Sequence, residues 1–308
     1  MRVFVAGATG VLGRRVLPLL VGAGHDVTGM ARSQEKSDIV RRLGAAPLEV
    51  DLFERPALEA SVKGHDVVVN VATKIPPVSR AWSSRAWEEN RRIRSEASRN
   101  LVDAALSAGA GRFVQESIAF IYRDCGDQWI DEDVPLDPPR LGRPSIDAEA
   151  QAQRFTETGR CGIVLRFGQF YAPDSHHVMY MCRMARNRLP ALPGPASAYT
   201  AAISADDAAR AVVAALEAPA GTWNVNDDVP LTRREFNRNV AEVVGAKPPL
   251  FTGTALMRLN ESSRLYLRSQ RVSNRRFKEA TGWSPLHPDA ASGWRDMAEE
   301  LRANQPVK

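Results

Sequence analysis

The chain has 308 residues, 44% apolar and 25% charged, the make-up of an ordinary globular protein large enough for two domains or one α/β unit with an appendage. Lysine and arginine exceed aspartate and glutamate by 41 − 36 = 5, a mild excess that suits anionic small ligands and does not call for nucleic acid. Cys125, Cys161 and Cys182 lack any zinc-ligand or disulfide spacing, and no run nears the roughly twenty apolar residues that cross a bilayer, so the expectation is a soluble cytoplasmic protein with no metal and no membrane contact.

Val3-Phe4-Val5 is apolar without alternation, which suits a parallel strand buried on both faces, and glycines then punctuate a turn into the helical run Arg14 to Ala23. Strand, glycine turn and helix together form a dinucleotide site. Gly7 permits the tight turn, Gly10 lets the backbone approach a pyrophosphate, and Gly13 lets the helix lie close on the strand. Thr9, Val11 and Leu12 complete that turn, and the phosphates would sit at the positive N-terminus of the helix.

Asp26 to Ala31 reads as a second strand with Arg32-Ser33 at its exit. Folds that prefer NAD place an acid about twenty residues after the glycines, but here no acid lies between Asp26 and Glu35. Arg32 stands there instead, and a guanidinium suits a 2′-phosphate, so the expected cofactor is NADP(H). The other reading of Arg32 is a solvated loop cation.

Pro47 to Val50, with Asp51-Leu52 at its exit, reads as the third strand, and Asp66 to Val71 as the fourth. Ala86 to Ala108 carries a helical apolar stripe through Ile93, Ala97, Leu101, Ala104 and Ala105, with Arg91, Arg92, Arg94 and Arg99 on the opposite, solvated face. Arg112 to Tyr122 is the fifth strand and its exit, and residues past the carboxyl ends of parallel strands line the ligand crevice. Cys125 to Pro144, rich in Asp, Pro and Gly, reads as a long loop over that crevice. Strands alternating with helices predict an α/β fold, a Rossmann-type doubly wound parallel sheet.

The run Gly7-Ala-Thr-Gly-Val-Leu-Gly13 directly after a strand resembles the extended and atypical short-chain dehydrogenase/reductase superfamily, in its epimerase/dehydratase-like branch. The likeness continues through Phe113-Val-Gln-Glu-Ser117, Leu165-Arg-Phe-Gly-Gln-Phe-Tyr171-Ala-Pro173, Ala202-Ile-Ser-Ala-Asp-Asp207-Ala-Ala-Arg-Ala211 and Thr281-Gly-Trp-Ser-Pro285. It implies a dinucleotide domain over residues 1–170, its sheet completed by parts of 200–226, and a smaller substrate lobe over 171–308. It also implies that Asp51 and Leu52 meet the adenine and that Val71, Ala72 and Thr73 meet the cofactor's ribose and phosphates. Many members dimerise through the helix before residue 108 and the one near residue 150; the cationic face there weighs against it, so monomer and homodimer both stay open.

The same resemblance locates chemistry that this chain lacks. Members that oxidise or reduce a carbonyl use a Tyr whose pKa is lowered by a Lys at i+4, with a Ser or Thr holding the substrate oxygen and an Asn ordering a water. Aligning Pro144-Ser145 on the family's Pro-Tyr puts Ser145 at the Tyr and Glu149 at the Lys. Ile118 falls at the Ser/Thr position, with Ser117 one place earlier, and Arg94 replaces the Asn. Tyr122 and Tyr171 have no Lys at i+4.

Candidate catalytic residues are therefore Ser117, Tyr122, Ser145 and Glu149, with Asp147 also able to act as an acid or base and His176-His177, in a loop, able to bind a substrate anion. Three functions compete: an NADP(H)-dependent oxidoreductase acting on a small carbonyl, alcohol or sugar-like substrate; a non-redox isomerase, dehydratase or cyclase in the inherited pocket; and a non-catalytic NADP(H) sensor.

Overall fold

The computed structural model describes residues 1–81, 83–251, 254, 257 and 265–303. In chain order, β1 (Arg2–Ala6), α1 (Gly13–Gly22), β2 (Asp26–Ala31), α2 (Gln34–Arg42), β3 (Ala46–Glu49), α3 (Arg55–Val62) and β4 (Val67–Asn70) build the first half. The helical stretch that follows is broken into α4 (Glu88–Arg92), a π-helical turn over Ile93–Ala97, and α5 (Ser98–Ser107). Then come β5 (Arg112–Ile118), the short β6 (Trp129–Ile130), α6 (Arg143–Glu157) and β7 (Cys161–Phe167).

The sheet has the order β11-β7-β5-β4-β1-β2-β3, where β11 is Gly221–Val225, and every neighbouring pair is parallel. The chain runs outward from β1 in both directions, so a crevice opens between the exits of β1 and β4, where the order reverses. Val3 and Val5 point into one layer with Val16, Leu17 and Leu20 of α1, while Phe4 and Ala6 point into the other with Leu101, Phe113 and Phe155. Both faces are covered, which is why the strands read as continuous apolar runs.

The chain leaves the sheet after β7 through β8 (Gln169–Tyr171) and α7 (His176–Arg186). It continues through β9 (Tyr199–Thr200), β10 (Ala202–Ser204) and α8 (Ala205–Ala214), which packs on α1, then β11, β12 (Leu231–Thr232) and α9 (Arg233–Val243). Ser204 caps α8, its hydroxyl accepting the Asp207 N–H. A separate core around Phe236, Val240, Met181 and Trp294 holds this second lobe together.

Three expectations are corrected. Arg94 is 3% exposed and ion-paired to Glu116, so it does not belong to the solvated face that Arg91, Arg92 and Arg99 form. The π-turn adds a residue to the helical repeat and so shifts which residues face the sheet. His176 and His177 open α7 and do not sit in a loop, and the loop over the crevice contains β6, which pairs in parallel with β13 (Arg271–Val272).

Candidate functional site

The glycine turn is built by close backbone contact. A Cβ on Gly7 would lie 2.6 Å from Ala72 N and Val71 C, and Gly7 has φ +83°, so the turn after β1 presses on the exit of β4 and brings Val71 and Ala72 beside it. A Cβ on Gly13 would lie 2.2 Å from Gly7 O, which fixes how closely α1 starts against the turn. Gly10 differs: a Cβ there would meet only Gly7 O, at 3.3 Å, so the outer side of the turn is open.

The backbone N–H groups of Val11 and Leu12 have no acceptor among the described residues, and no side chain caps α1. Unpaired amides at a helix N-terminus facing open space suit the phosphates of a dinucleotide. Thr9 is half-buried beside them, and Thr73 is exposed past the β4 exit. Arg32 is 58% exposed with Glu89 at 3.6 Å as its ion-pair partner. Leu52 is buried, its carbonyl accepting from Asn100, and the exposed Asp51 accepts from Phe53 N. The residues present thus fit a dinucleotide along the exits of β1, β2, β3 and β4.

Past β5 the edge is closed. Ser117 and Arg166 are register partners on β5 and β7, and both converge on Glu149 from α6. Ser117 Oγ donates to Glu149 Oε1 at 2.6 Å, and Arg166 clamps both carboxylate oxygens, Nε to Oε1 at 2.9 Å and Nη2 to Oε2 at 2.6 Å. The Arg166 side chain is 7% exposed and that of Glu149 is 11% exposed. The third guanidinium nitrogen, Nη1, donates to Tyr122 Oη, which in turn donates to Asn224 Oδ1, each at 2.8 Å.

Burial pushes the Tyr122 phenol up to about 12, more than Arg166 and Asn224 pull it down. Burial alone would lower Arg166, but the Glu149 carboxylate holds it raised. Beside this cluster lies the second buried pair, Arg94 Nη2 to Glu116 Oε2 at 2.8 Å; burial raises Glu116, Arg94 opposes that, and Glu149 adds to it. Ser145 is fully buried near the start of α6, its hydroxyl without a partner.

The structure therefore joins Ser117, Tyr122 and Glu149 through Arg166 and leaves Ser145 outside the network. Asp147 faces outward, in a surface groove with Arg91 and Arg99. Tyr171 lies in the core of the second lobe, stacked on Trp294, its hydroxyl donating to Asp227 at 3.2 Å, with burial and then the Asp227 charge raising its pKa. Sequence reasoning missed Arg166 and Glu116. The signal was present for Arg166, a charge inside the otherwise apolar strand Ile163-Val-Leu-Arg-Phe167, where burial requires a partner; Glu116 follows the polar Gln115 and stands out less.

The model of the NAD dependent epimerase/dehydratase family matches residues 3–226. The chain belongs to that family. A Streptomyces protein, 3-diazoavenalumate denitrifying reductase, is 34% identical over 309 residues, covering 96% of this chain and 98% of its own. A Stigmatella aurantiaca ketoreductase of a farnesyl dihydroquinoline-1-oxide is 32% identical over 154 residues, 49% of this chain and 44% of its own. In structure, the human epimerase family protein SDR39U1 with NADPH superposes with a TM-score of 0.81 at 24% identity over 97% of this chain and 99% of its own. The UDP-glucose 4-epimerase of Thermus thermophilus with NAD gives 0.79 at 20% identity over 99% and 100%. The fold is the NAD(P)-binding fold of the short-chain dehydrogenase/reductase type, and the matched relatives include reductases.

Proposed function

We propose that the chain is an NADP(H)-dependent reductase whose substrate accepts hydride without taking a proton from a Tyr–Lys pair, and that this substrate is an aryl diazo compound. The observation that carries the reading is the locked Glu149: at the position of the family's Lys stands a carboxylate held by Arg166 and Ser117, with a buried Ser145 at the position of the Tyr. A carbonyl acceptor becomes an alkoxide and needs an acid beside it. An arenediazonium does not: hydride and the cation give the arene and dinitrogen, the C–N bonding pair leaving with the nitrogen, and charge balances without a proton. The Streptomyces relative, matched along nearly its whole length, is named for a reaction of this kind.

A bound nicotinamide supplies the hydride. The chain's own part is to hold the phosphates at the amides of Val11 and Leu12, to place the 2′-phosphate at Arg32, and to exclude water near the reacting carbon. The same missing relay argues against an epimerase, which must oxidise an alcohol. The test is turnover of benzenediazonium with NADPH and with NADH, following cofactor oxidation and nitrogen release together. Stoichiometric nitrogen with a preference for NADPH, lost in Arg32→Ala, supports the reading; turnover of ketones in place of the diazonium, or equal use of both cofactors, removes it.

A further inference from the structure

The β8–α7 connection is tied to the start of α1, just past the glycine turn. Gln169 begins β8, two residues past the end of β7, and a Cβ on Gly168 would meet Ala202 N at 2.8 Å, so the chain turns sharply out of the sheet at that point. Asp174, before α7, is held by Arg14 and Arg15 of the helix that follows the glycine turn, Arg14 Nη2 at 2.8 Å and Arg15 Nη2 at 3.0 Å. The start of α7 thus lies next to the helix that follows the glycine turn. There Gln169 Nε2 lies 2.6 Å from His177 Nε2, and the imidazole is half-buried.

An amide nitrogen has only protons to offer, so Gln169 donates and His177 Nε2 accepts. A neutral imidazole that accepts at Nε2 carries its proton on Nδ1. Burial favours that neutral form by lowering the pKa of His177. The Nδ1–H has no acceptor among the described residues and is not sealed from solvent. It is a donor held in one tautomer and left without a partner, on a segment tied to the start of α1.

We infer that His177 Nδ1–H is a substrate-binding donor, recognising an oxygen acceptor of the substrate, and that Gln169 is the positioning residue that sets its tautomer. The inference rests on the reading of the crevice as the substrate site, but its tests need no hydride transfer. Gln169 provides orientation; His177 provides the contact.

Long-range proton–nitrogen NMR of the whole protein reads the tautomer directly. The Nδ1–H form is expected in the wild type, with a mixture in Gln169→Leu; a wild-type Nε2–H form overturns the inference. Binding follows by calorimetry with cinnamate and benzalacetone as probes, a carboxylate and a carbonyl, on cofactor-saturated protein. An Asn amide reproduces a donor at Nδ1 and a Gln amide one at Nε2, so His177→Asn should bind within about threefold of wild type while His177→Gln loses about tenfold, the effect of one hydrogen bond. Gln169→Leu should weaken the wild type by about threefold and leave His177→Asn unchanged, since no tautomer remains to be set. Equal losses in the Asn and Gln variants, or binding of neither probe, overturn it. Failure of diazonium turnover with these results intact would remove the proposed reaction and leave this contact standing.

Discussion

Two stretches of one sheet edge are built in opposite ways. The turn after β1 leaves the amides of Val11 and Leu12 without acceptors and open space outside Gly10. The segment around the end of β5 sets Glu149 against Arg166 and Glu116 against Arg94, with the side chains nearly out of water. Unsatisfied donors are tolerated where a ligand or water completes them, whereas paired charges are complete already. The first edge is built to receive something. The second is built to stay as it is, and a carboxylate clamped by a guanidinium cannot lower a phenol's pKa as a lysine does.

The contrast breaks most sharply at the glycines. Gly13→Ala puts a Cβ 2.2 Å from Gly7 O and 2.7 Å from Ala8 C, backbone atoms that cannot rotate away. Expected are a loss of stability of about 3 kcal/mol and a loss of NADPH affinity of about a hundredfold or more. Thermal melts and calorimetry measure them separately, and a variant that binds normally would mean that the turn does not hold the cofactor.

Next in size is the clamp. Glu149→Gln leaves Arg166 charged, buried and without its carboxylate, which should cost about 3–5 kcal/mol in urea unfolding. Replacing both partners, Glu149→Leu with Arg166→Met, should recover most of it, because no lone charge is left. Glu149→Lys with Ser145→Tyr should restore no ketone reduction, since the new ammonium would face Arg166. Ketone turnover by that double variant would show that the edge was only a broken relay.

How much of this the sequence discloses depends on the range of the interaction. β1 and β4 are legible because both faces are buried and the run is apolar throughout, and the glycine turn because its sterics are local. The π-turn is not, since no Gly or Pro marks Ile93–Ala97 and the break shows only in which arginine is buried. The partners Glu149 and Arg166, 17 residues apart, and Arg94 and Glu116, 22 apart, meet only when the sheet is assembled. The resemblance implies that the relay residues are missing, and the tertiary structure shows Glu149 held by Arg166 and Ser117.

A smaller effect concerns pH. Burial raises the Glu116 carboxyl above its usual range, so in the window between its unfolded and folded values the native state holds the extra proton. Stability then falls as pH rises through that window. Glu116→Gln, which stands in for the protonated carboxyl, removes this slope. Urea unfolding across mildly acidic to neutral pH tests the sign; an unchanged slope in the variant would assign it to other groups.

The smallest effect is expected at Ser145, and it bears most directly on the reading of the site. Its hydroxyl is fully buried without a partner, so the fold carries an unmet hydrogen bond at the position that the resemblance assigns to the family's tyrosine. Removing the oxygen removes that penalty and leaves a void smaller than a water. Ser145→Ala should therefore be neutral or more stable by up to about 1 kcal/mol. Diazonium turnover should stay within about twofold, a difference of less than about half a kcal/mol in barrier. A Ser145→Ala variant that melts normally and binds NADPH normally but loses its activity would show that the hydroxyl meets the substrate after the crevice opens. The closed edge would then be one state of a mobile site, and the absence of a proton donor would no longer support the diazo reading.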